Sequence, residues 1–248
     1  MSTANKRKIS GSDVARKKSK VDCSQQLIDA MNRFSSKLFE QQCARDENVF
    51  VSGYSVNVAL AMLATGTSDS SLREIMDTLH WDAVASSEEE ILGDYRKNST
   101  ELEELADSVQ LLTANSVWCK NLKDEFVNRL QQELHAEAFP LTTVAPINSW
   151  VASNTNQLIK NVVKDIDPLV IGLLVNAIYF KGTWAKTFDK KNTVPAVFTL
   201  SSKETVQTPM MNIKGNFKMA EVGGYTAVEL LYKGNEFSMI AVLPPQGA

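Results

Sequence analysis

The chain has 248 residues, 44% hydrophobic and 22% charged, a globular composition long enough to bury a core without metal or disulfide staples. Its net charge of −3 is divided unevenly: the first twenty residues carry +6, which leaves −9 on the remainder. An acidic body argues against a nucleic-acid partner, because phosphate would be repelled rather than neutralised.

Residues 1–22 hold few apolar side chains and are expected to form a disordered basic tail. Lys6, Arg7 and Lys8 form one cationic cluster; Arg16, Lys17, Lys18 and Lys20 form a second after a short polar spacer. The layout resembles a bipartite nuclear-import signal, with a solvated tail of no specific role as the other reading. With no apolar stretch behind it, the tail does not read as a secretory leader. The expected location is intracellular, cytoplasmic and/or nuclear, with extracellular residence only by unconventional export. Cys23, Cys43 and Cys119 are widely spaced and fit a reducing compartment, each as a small buried hydrophobe. The longest apolar run, LVIGLLVNAIYF, contains Asn176 and falls short of the roughly 20 residues that cross a bilayer, so no membrane partner is expected.

Order is predicted from Gln25. Leu27, Met31, Phe34, Leu38 and Phe39 recur at helical spacing. A strand-like run, NVFVS, precedes SVNVALAMLATGT, a helix apolar on most sides that Gly66 would stop. SDSSLREIMDTLHW opens on cap residues and predicts another helix. SSEEEILGDYRKNSTELEELA reads as acidic and exposed, with Glu88, Glu89 and Glu90 on a solvated face. SVQLLTANSVWC then predicts a strand, KDEFVNRLQQELHA a helix and EAFPLTT a short strand or loop. PINSWVASNTNQLIKNVV predicts a longer helix with Ile147, Trp150, Val151, Leu158, Val162 and Val163 on one face. LVIGLLVNAIYF is apolar on both sides, the pattern of a central strand buried between layers. Beyond Lys181 every segment reads as strand: AVFTL, TVQTPMM, NFKMAEV, TAVELLY and FSMIAVLPP. Gly223-Gly224 and Lys233-Gly234-Asn235 supply hairpin turns. Helices before strands give an α+β fold class.

Catalytic chemistry finds no foothold in this pattern. His80 and His135 sit at helix boundaries, and GTSDS lacks the second glycine and the preceding strand of a nucleophile elbow. Phosphate loops, dinucleotide fingerprints and zinc or calcium motifs are missing, so no enzyme, cofactor, metal or small-molecule substrate is expected.

In order along the chain, NVFVSGYSVNVALAMLATG, NSVW, INSWVASNTNQLIKNVV, LVNAIYFKGTWAKTF, TPMM and ELLYKGNEFSMIAVLPP resemble successive blocks of the serpin family of serine protease inhibitors. The resemblance spans about residues 25–248 and implies a helical N-terminal half packed on β-sheets A, B and C. It places LVNAIYF in the large sheet A, beside the position where a cleaved loop inserts as an extra strand. Ser52, Ser55 and Asn176 match the shutter, a polar cluster beneath the opening sheet, and Trp184 matches the breach where the loop first enters. Apart from the resemblance they read as a helix-capping serine, an Asn satisfying orphaned groups and a core Trp. Gly53 and Tyr54 depart from the family's proline and aliphatic residue, and Gly53 is expected to loosen the entry to its helix.

After AVLPPQGA the family pattern continues into further strands and the reactive-centre loop. Residues 25–248 are therefore expected to be an incomplete serpin domain, C-terminal strands and loop missing. The resemblance implies serine-type endopeptidase inhibition with a serine or cysteine protease as partner, which residues 1–248 as written would not achieve. The alternative is a non-inhibitory short form, nuclear if the basic tail directs import, acting as a protein-binding module that accepts a strand from a partner or from itself.

Overall fold

A computed structural model of the chain describes residues 25–43, 47–84, 87–105, 109–200 and 202–245. The basic tail and its seven cations lie outside the described residues, as does Cys23.

Among the described residues, six α-helices and eight strands follow the predicted order. Helix α1 spans Gln25–Gln42 and buries Leu27, Ala30, Met31 and Phe34, the expected stripe. Helix α2, Gly53–Ala64, runs through the interior with Val58, Ala61 and Met62 buried. Helix α3 is Asp69–Thr78, and His80 leaves it in the left-handed conformation before a 3-10 turn at Trp81–Ala83. Helix α4, Glu88–Glu104, corrects the expectation of an exposed acidic stretch: Ile91, Leu92 and Tyr95 are buried. Its three leading glutamates belong to the first turn, where carboxylates favour the positive end of the helix dipole. Glu90 closes a capping box with Ser87, and Glu88 meets Arg129 at 2.6 Å.

Strand β1, Val109–Cys119, is followed by helix α5, Asp124–Leu134, which ends on His135 in the left-handed region. Strand β2 is Ala136–Pro140 and helix α6 is Val144–Asn154. The predicted longer helix stops there because Asn156 and Gln157 both take positive φ, so Leu158 and Val162 lie exposed rather than on a buried face. Strand β3, Gly172–Gly182, completes the first sheet in the order β2-β1-β3. β1 and β2 are parallel; β1 and β3 are antiparallel, with Asn115 opposite Asn176 at the centre of the ladder.

β4 (Val194–Thr199) and β5 (Thr205–Met210) form a hairpin. β6 (Met219–Val222), β7 (Tyr225–Leu231) and β8 (Ser238–Leu243) form a third, antiparallel sheet. Both predicted turns are present: Gly223 and Gly224 have φ of +58° and +85°, and Gly234 has +94°.

Helices α1 to α5 enclose one core around Leu27, Met62, Leu79, Trp81, Ile91 and Leu130, and Val117 and Ala136 of the first sheet reach it. Trp118, Leu141 and Ile147 form a smaller cluster where α6 lies on the sheet. Three expectations need correction. NVFVS forms no strand, because no described strand lies beside it to take its hydrogen bonds, and Phe50 is fully exposed. Cys43 is exposed at the end of α1 rather than buried. β3 is an edge strand among the described residues, so its apolar pattern is only partly covered, and Leu174 and Phe180 remain exposed.

Gly53 does the opposite of loosening its helix. A Cβ there would lie 2.1 Å from the Ser35 Oγ and 2.8 Å from its Cα, so α2 enters in backbone contact with α1. Gly53→Ala is expected to destabilise by about 1–3 kcal/mol in urea unfolding, because backbone rather than a mobile side-chain tip must give way. An unchanged midpoint would show that α1 and α2 separate freely.

Candidate functional site

The centre of the first sheet carries a chain of polar side chains. Ser52 is the N-cap of α2, and its hydroxyl accepts from the Ser55 backbone N–H at 3.2 Å. That cap fixes the first turn of α2 and so aims the Ser55 hydroxyl at β3. Ser55 Oγ donates to Asn176 Oδ1 in a short hydrogen bond. Asn176 Nδ2 in turn donates to Asn115 Oδ1 at 2.5 Å, across the ladder. One amide thus ties helix α2 to β3 and β3 to β1. Asn115 is buried and Asn176 half-buried, an environment in which unmade hydrogen bonds are costly.

The three predicted residues Ser52, Ser55 and Asn176 are therefore brought together, and the fourth member, Asn115, was missed. Its signal was available: a polar residue in the middle of the apolar run LLTANSVW, where burial demands a partner.

Trp184 lies apart from this group, beyond the end of β3. Its backbone bridges to Tyr232, and the two rings stack at 4.5 Å and 12°. Phe188 packs edge-on at 6.1 Å. Ala185 N–H donates to Leu231 O at 2.9 Å and Lys233 N–H to Thr183 O at 2.7 Å, joining the exit of β3 to the end of β7. Gly182 is required by close approach, since a Cβ there would meet the Tyr232 ring at 2.3 Å. Beside Trp184 is a cavity of about 380 Å³ whose lining includes Lys186, Phe188, Phe217, Lys218 and Glu229. Lys218 meets Glu229 at 3.0 Å, and its hydrogen bond holds that carboxyl below the usual carboxylate range.

A second buried hydrogen-bond chain was not foreseen. Trp81 Nε1 donates to Tyr95 Oη at 3.3 Å, and Tyr95 Oη donates to Asn57 Oδ1. Burial pushes the Tyr95 phenol far above its usual range. Among the described residues no cluster of His, Cys, Asp and Glu could hold a metal, and no helix is long and apolar enough to cross a membrane.

A sheet tied at its centre by one asparagine, followed by the sheets expected for the family resemblance, is matched by sequence. A family profile described as "Serpin (serine protease inhibitor)" aligns with residues 29–248. The chain belongs to the serpin family. It is 32% identical over 234 residues to Serpin A3-2 of Bos taurus, covering 89% of this chain and 57% of that protein. It is 32% identical over 221 residues to Neuroserpin of Homo sapiens, covering 81% and 53%. This serpin chain therefore spans about half the length of the curated relatives it matches.

Its fold is similar to that of emu ovalbumin, with a TM-score of 0.81 at 24% identity over 88% of this chain and 63% of that structure. Arabidopsis AtSerpin1 in its native stressed conformation gives 0.79 at 25%, covering 88% and 60%. The sheet order β2-β1-β3 is the N-terminal part of sheet A, and the two later strand sets are parts of sheets C and B.

The Lys218–Glu229 pair sets an acid-dependent increment of stability. A depressed carboxyl pKa stabilises above the unfolded value, and the contribution is lost as pH falls through the folded value. Glu229→Gln is expected to be less stable than the parent chain at pH 7, with the difference shrinking as the pH falls below the usual glutamate range in urea unfolding. A gap independent of pH would mean that the carboxylate contributes packing alone.

Proposed function

We propose that this chain supplies the sheet-opening part of a serine-type endopeptidase inhibitor. Support comes from one arrangement: among the described residues β3 pairs with β1 on one side only, while its Asn176 is held at mid-strand by Ser55 and Asn115. In the family mechanism a protease cleaves an exposed loop, and the loop enters sheet A as a new strand. The entering strand needs an edge with free N–H and C=O groups, and β3 offers eleven residues of it. Ser55 and Asn176 would act as the shutter. Asn176 can exchange one partner for another, so the sheet stays closed at rest and parts without stranding a buried amide. Trp184, stacked on Tyr232 where β3 exits, would mark the breach.

The partner of the longer protein is then a serine or cysteine protease, and residues 1–248 on their own are expected not to inhibit it. Assaying residues 1–248 beside the product of the extended transcript, against a panel of both protease classes, tests this. Inhibition by the extended protein alone is expected; equal inhibition by both would overturn the assignment of β3 as receptor for a loop outside this chain.

A second reading, a strand-binding module without inhibition, is favoured by the same edge. β3 carries one charge, Lys181, near its end, and exposes Leu174 and Phe180, so little discourages pairing with another chain. Residues 1–248 expressed alone are expected to self-associate or to require a partner, as read by sedimentation. A clean monomer with a single cooperative thermal transition would contradict it. The two cationic clusters of residues 6–20 are proposed to direct nuclear import. A fluorescent reporter fused to residues 1–22 is expected in the nucleus, and diffuse signal would count against it.

A further inference from the structure

Helix α2 is gripped from three directions within its first turns. Gly53 is in backbone contact with Ser35 of α1, Ser55 donates to Asn176 of β3, and Asn57 accepts from Tyr95 of α4. Ser55 and Asn57 are two residues apart, about 200° around a helix and about 3 Å along it, so the two hydrogen bonds pull on opposite faces at nearly the same level.

Stability alone does not explain the Trp81–Tyr95–Asn57 chain. Asn57 is fully buried, and its Nδ2 has no hydrogen-bond partner among the described residues. A half-satisfied polar group in an apolar core generally costs more than a hydrocarbon of the same shape. Ile91, Leu92, Leu79 and Met62, fully buried, belong to the core that α2 and α4 share, so at 0% exposure Asn57 has no water of its own to relieve the orphaned donor. What the chain does provide is a directional hold. Trp81 and Tyr95 also meet edge-on at 6.0 Å, which leaves the phenol little freedom to follow a shifting helix.

We propose that Asn57 is a positioning residue for the sheet opening: by anchoring α2 to Tyr95 it sets where Ser55 stands and so how firmly Ser55 holds Asn176. Withdrawal of α2 from β3 stretches or bends the bond to Tyr95, and Gly53 against Ser35 blocks the alternative of sliding toward α1. The grip on the sheet is thus fixed from α4, on the far side of the core. The inference rests on the shutter reading of Ser55 and Asn176, and its test separates the two.

In the full chain, backbone hydrogen exchange is measured at β3 and at α1 for Tyr95→Phe, Asn57→Ala and Ser55→Ala. Ser55→Ala removes the grip itself. Tyr95→Phe keeps the ring and removes the hydroxyl, which donates to Asn57 and accepts from Trp81, so it reports even if Asn57→Ala fails to fold. The expected result is that exchange at β3 rises by roughly tenfold in Tyr95→Phe and in Ser55→Ala, while α1 keeps its protection. If Ser55→Ala loosens β3 and Tyr95→Phe leaves it unchanged, or speeds β3 and α1 alike, Asn57 has no positioning role and this inference falls alone. If Ser55→Ala also leaves β3 unchanged, the shutter reading fails with it.

Discussion

The structure turns on what one side-chain amide does at the middle of β3, an edge strand among the described residues. Asn176 carries both a donor and an acceptor, and it is placed so that each has a partner on a different element: Ser55 of α2 and Asn115 of β1. A hydrophobic residue there would fill space but bind neither neighbour in particular. Because the amide is amphoteric, the same group can hold a helix on a sheet and later accept new partners without being left unsatisfied. Everything proposed about strand insertion depends on that exchange being possible.

The surrounding architecture fits such a role. The helices bury their stripes in a core that reaches Val117 and Ala136 of β1 and β2, while Leu173 and Val175 of β3 pack on the smaller cluster around Trp118. The hydrophobic side chains of the later strands, among them Val197, Phe198, Val222, Ile240 and Val242, are exposed in residues 1–248. Apolar area of that extent on several strands is the signature of surfaces meant to be covered. It agrees with a chain that spans about half of its curated relatives.

Periodicity made most elements legible. An apolar stripe gave α1, cap residues gave α3, β-branched and apolar runs gave β1, and Gly223-Gly224 and Lys233-Gly234-Asn235 gave the turns. The errors fall where tertiary context overrode local pattern. Glu89 and Glu90 are as solvated as they look, yet the stretch they open is a helix whose next turn is buried, and only the downstream Ile91 and Leu92 signal it. LIKNVV keeps a helical spacing of apolar residues, but left-handed Asn156 and Gln157 break the helix first. Gly53 shows how little a glycine says alone, since its need was set by Ser35, eighteen positions away and unseen until the helices packed. Of the site, Ser52, Ser55 and Asn176 came through family resemblance. Asn115 could have come from its polar intrusion into a strand, whereas Asn57 and Tyr95, thirty-eight residues apart, had no pairing signal in a single sequence.

The most direct measurement is a structure of the extended protein after proteolytic cleavage downstream of Ala248. A new strand hydrogen-bonded along the free edge of Gly172–Gly182, with Asn176 having changed partner, is the predicted result. Cleavage that leaves β3 and the Ser55–Asn176–Asn115 bonds as they stand here would contradict it.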